Sequence, residues 1–258
     1  MLCFENVEKD IESFKARTIK AKTVFYIKEV SKPIAYEFVK SYHYLGDARF
    51  FAMRCYGLFH KNTDCLLGVA TFSNPQGNVA LKGWFGLPNS DQTVLELSRL
   101  CVLPTLNGTN ATSYLLGGSI KCMRKEGLIR AIITLADSSR HVGSIYQVCN
   151  FKYYGLTDVK SDFVRFDGKV NPRGSTKNTH GVWIPRTRKH RYAFILDNTL
   201  KCLYNESVPP KKEDTIHEKV CTACGGTRKV FDKRFNEWYT CPHCTGFFKR
   251  IENKKEGT

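Results

Sequence analysis

Between Leu135 and Phe151 the chain reads LADSSRHVGSIYQVCNF. Asp137, Ser138, Ser139, His141, Ser144 and Tyr146 crowd together just where the apolar run Ile129–Thr134 gives out. A carboxylate and a phenol at that spacing suit acid–base work, with Asp137 as base or hydrogen-bond acceptor and Tyr146 as acid or orienting group. The same residues also suit an ordinary loop and helix cap. Three further groups carry polar chemistry. Tyr42-His43-Tyr44 stands before Gly46, as plain surface or as a binding edge. Glu96-Leu-Ser-Arg99 puts charge into an apolar strand, so Arg99 either pairs with a carboxylate or faces a cleft. Alternation at period two sets Glu96 with Ser98, and Leu97 with Arg99 and Cys101. Asn110-Ala-Thr112-Ser113 opens a helix, whose free N–H groups need a cap or receive an anion.

A fifth chemistry lies near the end of the chain. Cys221-Thr-Ala-Cys224 and Cys241-Pro-His-Cys244 are separated by sixteen residues. Four thiolates in two such knuckles bind a tetrahedral structural Zn²⁺, and they leave no open position for catalysis. A segment this short has too little core to fold without help, which a metal supplies. His243, inside a knuckle, is expected at the surface rather than on the metal.

The net charge of +16 over 258 residues points to a polyanionic partner. Residues 1–205 hold 29 Lys/Arg against 16 Asp/Glu, so most of the excess lies ahead of the cysteine knuckles. Asn171 to Arg191 contains Arg173, Lys177, Arg186, Arg188, Lys189 and Arg191 and no acid. That is either a solvated loop or a phosphate-facing one, and the interleaved His180, Trp183 and Tyr192 suit stacking on bases. No apolar stretch reaches the length of a membrane span, and the charged N-terminus lacks a signal-peptide core. Scattered single cysteines suit a reducing cytoplasm.

These groups need elements to hold them. From Thr93 the order is strand (Thr93–Leu103), helix (Thr112–Glu126, closed by Gly127), strand (Ile129–Leu135), helix (Val142–Cys149) and strand (Phe151–Leu156). Alternation of this kind predicts a mixed twisted sheet with helices on both faces. Ligands then sit at the carboxyl ends of strands, where Arg99 and Asp137 fall. An N-terminal helix or arm (1–22), a catalytic domain (23–200), a polar linker (201–217), a zinc ribbon (218–250) and a basic tail (251–258) complete the expected organisation.

ELSRL, SYLLGGSIKCM, IITLAD, a His-Val-Gly-x-x-Tyr-Gln helix and Phe-x-Tyr-x-Gly stand in this order. Together with His43-Tyr44 and Lys189-His-Arg-Tyr192 they resemble the Mom DNA-modification proteins of phage Mu and related phages. The resemblance spans about residues 23–197. It implies a divergent GNAT-fold acyltransferase that converts adenine in DNA to N6-carbamoylmethyladenine and so protects the DNA from restriction. It marks Arg99, Ser113, Asp137 and Tyr146 as active-site candidates. It also implies double-stranded DNA as partner, contacted by His43, Tyr44, His141 and the basic segment, and acetyl-CoA or a related donor. The usual Gln/Arg-x-x-Gly-x-Gly/Ala pyrophosphate loop is missing, and Leu106-Asn-Gly-Thr-Asn110 stands in its place. Two other readings fit the composition: an N-acyltransferase acting on a protein or small molecule, and a non-enzymatic zinc-ribbon nucleic-acid-binding protein.

Overall fold

The two apolar runs flanking the Thr112–Glu126 segment pair in parallel at the centre of a sheet. In the computed structural model they are β4 (Val94–Val102) and β5 (Ala131–Asp137), joined through a 3₁₀ turn (Pro104–Leu106) and helix α5 (Ala111–Glu126). The structure describes residues 2–17, 19–44, 46, 50–76, 80–165, 170–171, 181–211, 229–232 and 237–240. Ahead of β4 come α1 (Leu2–Lys15), α2 (Ala21–Val24), β1 (Phe25–Glu29), α3 (Lys32–Tyr42), β2 (Arg54–His60), β3 (Leu66–Ser73) and α4 (Ala80–Phe85). After β5 follow α6 (Ser144–Val148), β6 (Lys152–Leu156), β7 (Ser161–Arg165), β8 (Val170–Asn171), β9 (Gly181–Pro185) and β10 (Lys189–Ile195). A hairpin of β11 (Lys229–Asp232) and β12 (Glu237–Thr240) comes last.

Seven strands form the main sheet in the order β1-β2-β3-β4-β5-β10-β6. β1 through β4 are antiparallel neighbours, and the β4–β5 pair is parallel, so the expected mixed sheet is present. Helices cover both faces. α3 lays Ala35, Phe38 and Val39 against Cys55 and Val69 on one side. On the other side α5 approaches so closely that a Cβ on Gly68 would meet Leu115, and one on Gly118 would run into Ile27. α5 ends at Gly127 in the left-handed conformation (φ 71°), the C-cap that its position predicts. α4, which hydropathy periodicity does not reveal, seats Leu81, Trp84 and Phe85 on Val94, Ala131, Ile133, Tyr154 and Ala193. Its six residues are too few to display a helical period.

The chain divides into two units. The first comprises residues 1–135, 143–155 and 191–209; the second comprises 136–142, 156–190 and 210–258. The stretch expected as a linker begins on the first unit: Leu203 N donates to Trp84 O (2.7 Å) and Ser207 N to Tyr153 O (2.9 Å). Tyr204 stands edge-on to Trp84 and lies beneath the Arg191 guanidinium. The second unit contains the three-stranded sheet β8-β7-β9 and the β11–β12 hairpin. The cysteine knuckles on either side of that hairpin lie outside the described residues. Among the described residues no helix is long and apolar enough to cross a membrane.

Candidate active site

Arg99 owes its position to a bulge. Thr71 of β3 faces Arg99 while the next residue, Phe72, faces Leu97, so Ser98 is an extra residue on β4. Its hydroxyl holds the kink, lying 3.0 Å from Thr71 Oγ1, 3.0 Å from Thr71 O and 3.3 Å from Phe51 O. The bulge corrects the expected face pattern. Alternation resets across Ser98, so Leu97 goes with Phe72 and Leu100 on one face. Glu96, opposite Ser73, joins Arg99 and Cys101 on the other. Two opposite charges separated by an apolar residue and a serine thus share a surface. The Arg99 Nη1 donates to Ser98 O (2.7 Å), and Glu96 Oε2 accepts from Gln76 N (2.8 Å).

Three aromatic side chains interact with these charges or with one another. His43 caps the C-terminal end of α3, its N–H donating to Val39 O (2.9 Å). Burial, reinforced by the Arg99 charge, pulls the His43 imidazole from 6.5 down to about 4. It is therefore a neutral acceptor beside a cation at neutral pH. Its ring stacks on Tyr44 with centroids 4.4 Å apart, and Tyr44 itself is exposed. Tyr146 feels both Tyr44 and Glu96.

Tyr146 also marks where the sheet opens. β4 and β5 pair only from Val94↔Ala131 to Glu96↔Ile133. One residue further on, side chains take over from backbone. Thr134 Oγ1 donates to Leu97 O (3.2 Å), and the Tyr146 hydroxyl bonds to Thr134. Burial drives the phenol pKa up, so it keeps its proton. Tyr146 can donate and position, but it is too enclosed to be a freely exchanging acid. Gly143 makes this packing possible. Its φ is 78°, and a Cβ there would come within 2.6 Å of the Tyr192 ring and 2.9 Å of Tyr146. Thr134 and Ser98, which complete this arrangement, are not evident from residue types. A lone Thr inside an apolar strand run is the sole trace of the first.

Ser113 is placed elsewhere. Its Oγ donates to Asn110 O (2.9 Å), and it lines a cavity of about 750 Å³ with Lys121, Arg124, Lys125, Cys149 and Phe194. Tyr192, expected as a stacking group, is wholly buried against Tyr146 and Tyr153, its hydroxyl accepting from Gln147 Nε2 (2.9 Å). β10 begins at Lys189, earlier than its apolar residues suggest, and so carries Tyr192 into the core.

In the second unit, Asp137 folds its own turn. Its Oδ1 accepts from Ser139 N (3.1 Å) and Ser139 Oγ (2.8 Å), while its carbonyl accepts from the amides of Arg140 and His141. Partial burial favours the neutral acid, yet the Ser139 and Thr187 hydrogen bonds and the Lys189 charge outweigh it. They hold the carboxyl below its ordinary value, as an anion. His141 and His190 adjoin one another. Burial lowers both, with Asp137 pulling His141 back up and Arg140 opposing it; His141 and Arg188 add to the fall at His190. Arg186, Arg188 and Lys189 are exposed around them. Arg186 pairs with Asp162 (3.6 Å), and Arg188 Nε donates to Thr157 O (2.6 Å). Trp183 is 56% exposed and so available for stacking, while His180 lies outside the described residues. Arg191 belongs to the first unit, whereas Arg173 and Lys177 lie outside the described residues, as do Cys221, Cys224, Cys241 and Cys244. Among the described residues no three His, Cys, Asp or Glu side chains group as metal ligands.

Several solved acetyltransferase structures are similar to the chain at low identity. The ribosomal-protein-S18-alanine N-acetyltransferase of Escherichia coli is 12% identical, with 67% of this chain and 94% of that one covered and a TM-score of 0.41. The spermidine/spermine N-acetyltransferase of Vibrio cholerae is 9% identical over 69% and 95%, with a TM-score of 0.42. An acetyltransferase of Bacillus cereus is 12% identical over 66% and 99%, with a TM-score of 0.39. Likenesses at this level do not bear on function. No curated protein matches the sequence. The model of the Mom protein family does match, over residues 24–212, which takes in β1 through β10 and every described candidate residue. The chain belongs to the Mom protein family.

Proposed function

We propose that the protein is a DNA-modifying transferase that places a small acyl-derived group, of carbamoylmethyl type, on the exocyclic N6 of adenine. The observation that carries this reading is membership of the Mom family across the whole sheet. The opening of β4 from β5 supports it. An open parallel pair at the centre of a mixed sheet is the feature a GNAT-type transferase needs for an extended acyl donor, acetyl-CoA or a related compound: N6 attacks the donor carbonyl, a C–N bond forms and the thiol leaves, so a product of carbamoylmethyl composition calls for a donor whose acyl group already carries the second nitrogen.

Each residue then has a task suited to its state. Arg99, fixed by the bulge, holds a carboxylate or phosphate of the donor. Asp137, held as the anion, accepts a hydrogen bond or proton from the adenine amine. Tyr146 positions, through Thr134, the strand edge along which the donor lies. Tyr44, exposed beside His43, and Trp183 offer ring faces to an unstacked base. Arg186, Arg188 and Lys189, with Arg173 and Lys177, neutralise DNA phosphates, and His141 adds a contact to them. The Cys221, Cys224, Cys241 and Cys244 set holds a structural Zn²⁺; its spacing around a two-stranded hairpin supports that part of the proposal. Nucleoside mass spectrometry of plasmid DNA from expressing cells tests the reading. A modified deoxyadenosine is expected with the intact protein and none with Asp137→Ala. Standard nucleosides alone from cells making folded protein refute it. Modification that survives Asp137→Ala refutes the role of Asp137.

A further inference from the structure

Residues 50–53, directly ahead of β2, turn two large apolar side chains outward from a firmly held piece of backbone. Phe50 and Ala52 pack on the α3 cluster of Ala35, Phe38, Val39, Cys55 and Val69. Phe50 also lies against Tyr36, with ring centroids 5.4 Å apart. Phe51 and Met53, which alternate with them, are 52% and 51% exposed. Alternation of this kind anchors one set of side chains and presents the other. The backbone is tied to the bulge that fixes Arg99. Phe51 O accepts from Ser98 Oγ (3.3 Å), and Met53 N donates to Phe72 O (2.7 Å). A Phe and a Met mounted beside a cation suit a partner that offers phosphates and stacked apolar surface together. A DNA duplex offers both. A protein partner fits less well, because two side chains supply only a small part of the area that a stable interface buries.

We infer that Phe51 and Met53 are the wedge that opens the duplex, entering the base stack and filling the gap left by the extruded adenine. The inference rests on the DNA-modifying reading proposed above. An amine that is paired and stacked lies out of reach of an active site, so the base must come out. Its unstacking costs free energy that a side chain filling the gap offsets. Phe and Met are among the side chains that insert between base steps. A flat ring replaces the lost stack, and a flexible thioether adapts to the space that remains. Because the wedge and Arg99 are tied to the same bulge, one rigid piece of the first unit sets both.

Fluorescence of 2-aminopurine tests it, because this adenine analogue is dim when stacked and bright when extruded. The full-length protein is titrated into duplexes that carry the analogue in every nearest-neighbour context. The parent should brighten at least one of them. Phe51→Ala should lower that rise about tenfold, as expected when one base–aromatic stack is lost, and Met53→Ala by less. Phe51→Leu, which keeps an apolar filler, should retain most of it. An abasic site opposite the analogue removes the pairing cost and should close most of the gap between Phe51→Ala and the parent. The inference is overturned if the parent brightens no duplex, or if Phe51→Ala and Met53→Ala proteins that melt like the parent keep the full rise. It is also overturned if the abasic duplex shows the same defect, because the side chains then act elsewhere. A changed oligomeric state of the variants in sedimentation, with the rise intact, overturns it in favour of contact with a second copy. Nucleoside analysis of plasmid DNA separates this inference from the reading beneath it. Standard nucleosides beside a Phe51-dependent brightening refute the transfer and leave the wedge. Modified deoxyadenosine at the parent's level in both alanine variants refutes the wedge and leaves the transfer.

Discussion

Replacing Tyr146 by Phe removes a single hydroxyl while keeping the ring against Phe151 and Tyr192. Thr134 then keeps its bond to Leu97 but loses the one to the phenol, so Tyr146→Phe should cost about 0.5–1.5 kcal/mol in denaturant unfolding. DNA modification should fall by more than stability does if Tyr146 positions the strand edge. His43 gives a pH test with a definite sign. Its folded value, about 4, lies below the ordinary 6.5, so the unfolded chain takes up this proton first as pH falls. Stability carried by the neutral imidazole is complete above 6.5 and declines down to about 4. Unfolding midpoints measured across that window should show a shallower decline in His43→Gln than in the parent. Neither effect is visible from residue types. His43 and Tyr146 stand out in the sequence as candidates, but their protonation states are set first by burial in the fold, with Arg99 adding to it at His43 and Thr134 opposing it at Tyr146.

Among the elements, the paired central strands, α5 with its glycine cap and the polar turn after β5 are all legible, because apolar runs and turn residues bound each one. The bulge is not. Alternation at period two presumes an unbroken ladder, and one inserted serine is enough to move Glu96 onto the Arg99 face. Deleting Ser98 should therefore keep Glu96 on the Arg99 face, because Leu97 alone then separates the two in a regular ladder. The deletion removes the kink, whereas Ser98→Ala keeps the kink and loses only the hydroxyl's bonds. Circular dichroism with nucleoside analysis would separate a protein that folds without modifying DNA from one that does not fold. Gly143→Ala is the corresponding test at α6. It combines a left-handed backbone with a clash against two rings and should destabilise by about 1–3 kcal/mol in thermal or denaturant melts.

For the whole molecule, the large positive charge is the trait most plainly written in the sequence and the one most directly testable in solution. If the exposed cations of the second unit meet DNA phosphates, log affinity should fall linearly with log salt. Arg186→Ala and Lys189→Ala should each make that slope shallower by about one, as fluorescence anisotropy at several salt concentrations would reveal.

Residues 156–190 of the second unit leave from β6 and return on β10, two strands that are neighbours in the main sheet. Thr157 N donates to Lys189 O (2.8 Å) at its root, so the two ends of the excursion are already side by side. Such a root behaves as a socket. A piece of chain of almost any length can be exchanged there while the sheet keeps its register, because loop closure changes little once the ends are fixed. What this segment touches can thus be varied without disturbing the sheet, and a short two-residue turn placed between Thr157 and Lys189 gives a minimal scaffold on which foreign recognition segments can be grafted.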